Sequence, residues 1–144
     1  MKLLSATKSI LLTLFLTISL LVLNSCSKNI NFLTSSVVPA ARGYAKIKMD
    51  RNKNYNISVS LSNLAEVERL DGNKKTYVVW MESSNENAKN IGQIMSNTNK
   101  LSKKLNASFN TVSSAKPTKI FITAEQDGSV QYSSNIIVLT TGAI

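Results

Sequence analysis

The amino-acid sequence predicts an all-β domain, an antiparallel β-sandwich, behind a short targeting segment. From Gly43 onward, apolar and polar residues alternate with a period of two, the spacing that places one face of a strand on a core. Clusters of Asn, Asp, Ser and Gly separate about seven such short runs. With 144 residues, 43% of them hydrophobic, the chain is long enough for one domain with a packed core.

The first 25 residues have the organisation of a secretory signal peptide. Lys2 and Lys8 form its basic start, and residues 10–23 form an apolar run of 14 residues. As a helix that run extends about 21 Å, which is shorter than the ~30 Å hydrocarbon core of a bilayer. We therefore predict a signal peptide over residues 1–25, with a single transmembrane helix as the alternative.

The end of the apolar run resembles the lipobox of bacterial lipoproteins. Leu23 lies three residues before the cysteine, a small Ser25 lies directly before it, and Cys26 occupies the position that becomes the new N-terminus. The resemblance implies signal cleavage between Ser25 and Cys26 and lipidation of Cys26 by a diacylglycerol thioether, with fatty acyl chains such as palmitate. Two or more acyl chains hold a protein stably on a membrane. The implied localisation is the bacterial cell envelope, on the periplasmic face of an outer membrane if the cell has one.

The residues after the cysteine have no sustained period. Residues 27–41 are rich in Ser, Thr and Asn and contain Pro39, a composition typical of a linker. We predict a lipidated cysteine and flexible tether over residues 26–42 and the β-sandwich over residues 43–144. For Ile30, Phe32 and Leu33, two alternatives stay open: contact with the bilayer or packing on the domain.

Two alternating runs predict a β-hairpin. Residues 45–49 and 57–61 each alternate apolar with polar side chains, and a turn cluster over residues 50–54 separates them. The cluster copies the first ligand positions of a calcium-binding loop. However, Tyr55 and Leu61 stand where such a loop needs Gly and Glu, so we predict a turn and no metal site.

The remaining runs complete a sandwich. Residues 76–81 are apolar on both faces, as suits a central strand, and residues 63–70 have apolar side chains at a spacing of three that fits a short irregular or helical piece. The other candidate strands are residues 91–94, 105–110, 119–124 and 135–141, with turns at 71–73 and 127–128. About seven short strands separated by such turns predict an immunoglobulin-like topology.

The composition excludes several kinds of active site. The chain has no His and one Cys, so it has no Ser-His or Cys-His nucleophile pair, no imidazole metal ligand and no intrachain disulfide. We predict no cofactor, no metal and no catalytic residue. The alternative, an enzyme acting on envelope glycans or peptides, would need a pair of carboxylates in a cleft. The candidate pairs are Glu66/Glu68, Glu82/Glu86 and Glu125/Asp127, and Glu125 is the first to check because it ends an apolar strand beside a turn.

The charge balance indicates what kind of partner to expect. The signal removes Lys2 and Lys8 from the 17 Lys and Arg residues, so the mature chain keeps 15 of them against 8 acids, a net charge of +7. In an exported lipoprotein this excess favours anionic lipid headgroups, an anionic envelope polymer or a solvated surface rather than nucleic acid. The basic residues are scattered along the chain, which is typical of solvated strand faces and turns.

The second half of the chain resembles the extracytoplasmic domain of anti-sigma-K-type anti-sigma factors. The similar segments occur in the same order: residues 77–81, residues 90–93, residues 119–125 followed by Asp127 and Gly128, and residues 138–140 followed by Gly142. The resemblance implies an immunoglobulin-like sandwich with Trp80 in its core. The sigma-binding domain and transmembrane helix of those factors have no counterpart in this sequence, so sigma inhibition is not implied.

Two functional hypotheses follow. The first is a non-enzymatic envelope lipoprotein whose β-sandwich binds or scaffolds an envelope partner, either a protein or an anionic polymer. The alternative is an anti-sigma-linked signalling component that contacts a membrane regulator through its sandwich.

Overall fold

The computed structural model describes residues 27–70, 72–94, 105–134 and 136–144. Two antiparallel four-stranded sheets pack against each other as a β-sandwich, which confirms the predicted fold class. The elements are β1 (Ser27–Asn31), β2 (Arg42–Met49), β3 (Tyr55–Leu64), a 3₁₀ turn (Val67–Arg69), β4 (Thr76–Ser83), β5 (Glu86–Ile94), β6 (Leu105–Ser113), β7 (Pro117–Glu125) and β8 (Ile137–Thr140).

The strand order is that of an immunoglobulin-like sandwich. The first sheet has the order β1-β2-β3-β6 and the second has the order β5-β4-β7-β8. Strands β3 and β6 take the places of strands B and E of an immunoglobulin domain, and β4, β7 and β8 take those of C, F and G. The sequence predicted about seven strands, and the described residues contain one more because β1 adds to the edge of the first sheet.

Alternation within each strand builds the core between the sheets. The first sheet contributes Ile57, Val59 and Leu61 of β3, whose polar neighbours point outward. The second contributes alternate residues of β4 and β7, including Tyr77 and Ile122. The predicted hairpin is confirmed, because β2 pairs along its whole length with residues 55–62 of β3.

The turn at residues 50–54 is closed by Asp50. Its Oδ1 accepts hydrogen bonds from the backbone N–H groups of Asn52 and Asn54 at 2.8 and 2.9 Å. The sequence predicted a turn here, and the short Asp side chain mimics the backbone hydrogen bond that such a turn requires.

The register defines two ends of the sandwich. Ser27 pairs with Lys48, so β1 begins at the end that also carries the turns 50–54, 84–85 and 114–116. We call this the N-terminal end. The opposite, far end carries the described connecting residues 32–41, 65–70, 72–75, 126–134 and 136.

The prediction of a flexible tether is wrong for the residues that follow the cysteine. Residues 27–31 form β1, and Phe32, Val38 and Ala41 are buried in the core between the sheets. The backbone N–H of Leu33 also donates to the carbonyl of Thr140 at 2.8 Å. The segment lacks a clear period because only a few of its side chains reach the core, and strand pairing through the backbone holds the rest. Of the two alternatives for Phe32, packing on the domain is the one observed.

Candidate functional site

The predicted processing and lipidation residues lie outside the described residues. Ser25 and Cys26 precede Ser27, where the described chain begins as β1. The geometry of the cleavage position is therefore not described, although the strand that follows it is.

A second apolar cluster lies on the outer face of the second sheet. Val78, Trp80 and Phe121 are buried there, away from the core between the sheets. The rings of Trp80 and Phe121 are stacked with centroids 6.1 Å apart. The sequence predicted a core position for Trp80, and the side chain is indeed fully buried. The face that it occupies differs from the sheet-to-sheet core, because Trp80 alternates with the inward residues Val79 and Met81.

The cover over this outer face is the segment 126–134, which we call the covering loop. Val130 packs against the cluster. A chain of buried hydrogen bonds connects the cluster to the end of the loop. Trp80 Nε1 donates to Thr123 Oγ1 at 2.8 Å, and the Thr123 hydroxyl donates to Glu125 Oε1 at 2.6 Å. The same carboxylate oxygen accepts from the backbone N–H of Ser134 at 2.8 Å.

Asn90 of β5 holds the other side of the covering loop. Its Nδ2 donates to the carbonyls of Gly128 and Val130 at 2.9 and 2.8 Å, and its Oδ1 accepts from the N–H of Gly92 at 3.0 Å. A β-bulge makes this possible: Val79 pairs with Gly92 and Trp80 with Asn90, so one extra residue of β5 lies between them. Gly92 has a φ of 142°, a conformation that favours glycine.

Asp127 fixes the tip of the covering loop. Its Oδ1 accepts hydrogen bonds from the N–H and hydroxyl groups of Ser129 at 2.7 and 2.8 Å, and these bonds lower the pKa of the Asp127 carboxyl below its ordinary value. The predicted turn at residues 127–128 is therefore confirmed.

The side chain of Tyr132 projects from the covering loop into solvent. Its side chain is 87% exposed, whereas Trp80 and Phe121 beneath the loop are buried. Several part-buried hydrogen bonds thus hold the backbone of a loop that presents one large aromatic side chain to solvent.

A cavity opens at the same end of the sandwich. It has a volume of about 430 Å³ and combines apolar walls with two cations; its lining residues are Val37, Leu70, Ala124, Ile136, Arg69 and Lys74. This lining could accept an apolar group that carries a negative charge. The apolar walls would bury the apolar group, and the two cations would pair with its charge.

The outer face of the first sheet has a different chemistry, and we call it the polar face. Its outward residues are Ser27, Asn29, Asn31, Arg42, Tyr44, Lys46, Lys48, Asn56, Ser58, Ser60, Ser62, Ser108, Asn110 and Val112. None of these residues is a carboxylate, and the cations all lie on β2. The alternating pattern that predicted wet strand faces is confirmed here.

Three of the carboxylates singled out in the sequence, Glu82, Glu125 and Asp127, have hydrogen-bond or ion-pair partners. Glu125 is buried beneath the covering loop, where it accepts the two hydrogen bonds described above. Glu82 forms an ion pair with Lys119 at 3.3 Å. Glu68 lies on the 3₁₀ turn, where its charge acts on the phenol of Tyr77. Within the described ranges, no group of three or more Cys, Asp or Glu side chains is close enough to hold a metal ion.

Neither family nor structural relatives identify this arrangement. No protein-family model matches the chain, and no characterised protein or solved structure matches it either. Across the residues that the structure describes, no helix has the length and hydropathy needed to cross a membrane. The resemblance to the anti-sigma domain therefore stays a prediction.

Sequence reasoning missed the covering loop as a site. A signal was present, because Phe121, Thr123 and Glu125 alternate with Ile120, Ile122 and Ala124 and so occupy the outer face of a strand. An aromatic, a hydroxyl and a carboxylate in a row on a face also shared by Trp80 indicate a buried polar network. The partners Asn90 and Ser134 come from distant parts of the chain, and no local pattern marks them.

Proposed function

We propose that the chain is a non-enzymatic envelope lipoprotein whose β-sandwich binds an envelope protein at its far end. The observation that carries this proposal is Tyr132, which is 87% exposed on a loop held by the Trp80–Thr123–Glu125 network and by Asn90. Single exposed apolar residues are common on protein surfaces. Here the exposed residue is an aromatic on a backbone that is already ordered.

Preorganisation is what makes such a tyrosine useful for binding. Ordering a loop on association costs free energy, and a loop that is already fixed avoids most of that cost. Tyrosine adds a large amphipathic contact area with only two side-chain torsions to restrict, which is why it recurs at binding hot spots. The covering loop supplies both features.

The cavity at the far end supports a protein partner of defined chemistry. Its apolar walls and its two cations, Arg69 and Lys74, fit an apolar side chain next to a carboxylate. The partner surface that suits this end therefore contains a contact for Tyr132 and an acidic, apolar protrusion for the cavity.

The position of the far end agrees with a lipid anchor on Cys26. β1 begins one residue after Cys26 at the N-terminal end, and β4 is eight residues long. Strands of that length extend on the order of 25–30 Å, so the far end would face away from the membrane. This would leave Tyr132 accessible to a protein in the envelope.

Site-specific crosslinking in intact cells tests the binding site. We would replace Tyr132 with photoreactive benzoylphenylalanine in the tagged, lipidated protein, and place the same group at Asn52 in the turn of the opposite end as the control. We expect one stoichiometric protein adduct from position 132 and none of that mass from position 52. Equal capture at both positions, or capture of polymer or lipid alone, would contradict a protein site at the far end.

A matched pair of tyrosines tests the contribution of Tyr132 itself. Tyr44 on the polar face is also exposed, at 42%, but lies far from the covering loop. Once the crosslinked protein is identified, we expect Tyr132→Ala to weaken its binding by ~2 kcal/mol, or about thirtyfold, as hot-spot aromatics do. Tyr132→Phe should retain most of the affinity and Tyr44→Ala should change nothing. Equal losses for the two alanine variants would remove Tyr132 from the site.

The anchor has its own test. Cys26→Ala should move the protein from the membrane fraction to the soluble fraction while the sandwich stays folded, as judged by its circular dichroism. A Cys26→Ala variant that remains as membrane-bound as the wild type would refute lipid anchoring.

A further inference from the structure

We infer that the N-terminal end of the sandwich is a docking surface for anionic lipid headgroups, so that the domain rests directly on the membrane. The inference rests on the proposed lipid anchor for the orientation of the domain. The docking surface itself is supported by three observations: the strand register, the charges at this end and the exposure of its side chains.

No linker residues separate Cys26, the proposed lipid anchor, from the first strand of the domain. Cys26 is covalently joined to Ser27, and Ser27 already pairs with Lys48 as the first residue of β1. A lipid on Cys26 would therefore hold the N-terminal end within a few ångströms of the headgroups, because one residue extends at most about 3.6 Å. A flexible tether would have allowed any orientation, and the strand pairing removes that freedom.

The charges at this end suit an anionic surface. Five exposed cations lie on β1, the end of β2 and the adjoining turns: Lys28, Lys48, Arg51, Lys53 and Lys116. The side-chain carboxylates at this end among the described residues are Asp50, Glu82 and Glu86, and Glu82 is paired with Lys119 at 3.3 Å. Asp50 is already engaged as the acceptor of two backbone N–H groups within its turn. Basic residues next to an anionic membrane each contribute favourably to binding.

Two exposed apolar side chains accompany these cations. Met49 is 55% exposed and Val112 is 60% exposed. Asn56 pairs with Lys48 and Val112 while Tyr55 pairs with Met49, so the two side chains lie in neighbouring rows at this end of the first sheet and point to its opposite faces. Apolar side chains flanked by cations are the composition of surfaces that settle into the headgroup region.

Among the described residues, the far end has no such excess of positive charge. Its described cations, Arg42, Arg69, Lys74 and Lys75, are matched in number by the carboxylates Glu66, Glu68, Glu125 and Asp127. The excess of positive charge in the described part of the chain therefore lies at the N-terminal end and along the strands next to it. For the described residues, this asymmetry favours one orientation on an anionic bilayer, with Tyr132 directed away from it.

Fluorescence quenching in vesicles tests this orientation. In the processed protein the thioether occupies Cys26, so a cysteine introduced elsewhere is the free thiol for a fluorophore. We would label Asn52→Cys and Tyr132→Cys separately, reconstitute each full-length lipidated protein in phosphatidylglycerol vesicles with a nitroxide on some headgroups, and compare quenching. We expect several-fold more quenching at position 52 than at position 132.

Charge variants test the cause. Arg51→Gln, Lys53→Asn and Lys116→Gln together remove three cations; asparagine suits the positive φ of 64° at position 53. Each cation lost should lower the ratio of docked to undocked protein about fivefold, and three should lower it on the order of a hundredfold. The matched control, Arg42→Gln, Lys46→Gln and Lys75→Gln, removes the same charge away from this end and should leave quenching at position 52 unchanged.

The outcomes separate this inference from the proposed function. Protein that carries no acyl mass and does not associate with vesicles refutes the anchor. Acylated protein whose two labels are quenched equally, or whose quenching at position 52 is the same in phosphatidylcholine vesicles, refutes the docking surface alone. Equal effects of the two triple variants would also refute it, since charge at this end would then play no special part.

Discussion

The two sheets present outer faces of opposite character. The first sheet exposes the polar face, in which Ser, Asn, Lys and Arg side chains predominate on the outward positions of its strands. The second sheet carries Val78, Trp80 and Phe121 outward and buries them under the covering loop. An antiparallel sheet with one apolar face needs one covering layer, whereas a strand apolar on both faces needs two. In this molecule a single connection between β7 and β8 supplies the second layer.

This difference between the outer faces determines how the loop that carries Tyr132 is held in place. The polar side chains of the first sheet are hydrated, so no further segment of the chain has to cover the polar face. The covered face links a loop to the sheet through the hydrogen bonds of Thr123, Glu125 and Asn90, so the position of Tyr132 depends on buried groups. The loop proposed to bind a partner is therefore coupled to the stability of the second sheet.

Removing the centre of the covered face should have the largest effect. We expect Trp80→Ala to lower the free energy of unfolding by about 3–5 kcal/mol, because it leaves a large cavity and removes the donor to Thr123. Tyr44→Ala on the polar face should change it by no more than about 0.5 kcal/mol. Urea unfolding followed by circular dichroism measures both. Similar losses for the two variants would show that the outer faces do not differ energetically.

The inner face of the same strand should respond to alkaline pH. Burial, together with the charge of Glu68, raises the pKa of the Tyr77 phenol from its ordinary 10.0 to about 12, and its hydroxyl donates to the carbonyl of Ala65 at 3.0 Å. Because the folded-state pKa is the higher one, the contribution is complete below about pH 10 and is lost as pH rises through 12. We expect a loss of about 2–3 kcal/mol across that window.

Tyr77→Phe is the control for this pH dependence. The variant lacks the titrating group, so its unfolding free energy should lose that part of its dependence between pH 10 and 12, although the hydrogen bond to Ala65 is lost as well. A wild-type and a Tyr77→Phe protein with identical alkaline profiles would exclude Tyr77 as the cause. The measurement is urea unfolding at a series of pH values.

Disconnecting the covering loop from its network should have the smallest of the three effects. Glu125→Ala leaves the N–H of Ser134 and the hydroxyl of Thr123 without their acceptor, and we expect a loss of about 1–3 kcal/mol. Faster hydrogen exchange at the Ser134 amide should accompany it. Glu125→Gln keeps an acceptor oxygen and should lose less. Unchanged exchange in the alanine variant would show that packing of Val130 alone holds the loop.

The strands were the most predictable part of this molecule. Alternation over residues 45–49 and 57–61 predicted β2, β3 and their turn, and the two apolar faces of residues 76–81 predicted a central strand, which β4 is. The prediction for β5 covered only residues 91–94, whereas the strand is Glu86–Ile94. Its first part is polar and exposed because β5 is an edge strand, so hydrophobic pattern could not mark it.

The candidate site was much less predictable. Trp80 was expected in the core, but the sequence does not say which face of the sheet it occupies, and Tyr132 carries no local signal at all. Its significance arises because Glu125 and Asn90, 35 residues apart in the sequence, fix the two sides of one loop. The tether was mispredicted for a related reason: β1 is held by backbone pairing, which leaves little trace in side-chain composition.

By itself, the sequence determined the composition of each strand face, the positions of the turns and the resemblance of residues 23–26 to a lipobox. These depend on local spacing and residue type, which are read directly along the chain. Only the tertiary structure decided that β1 starts directly after Cys26, that one loop covers Trp80, and that cations and apolar side chains gather at one end. Those features depend on strand register, which brings together residues that no short segment contains.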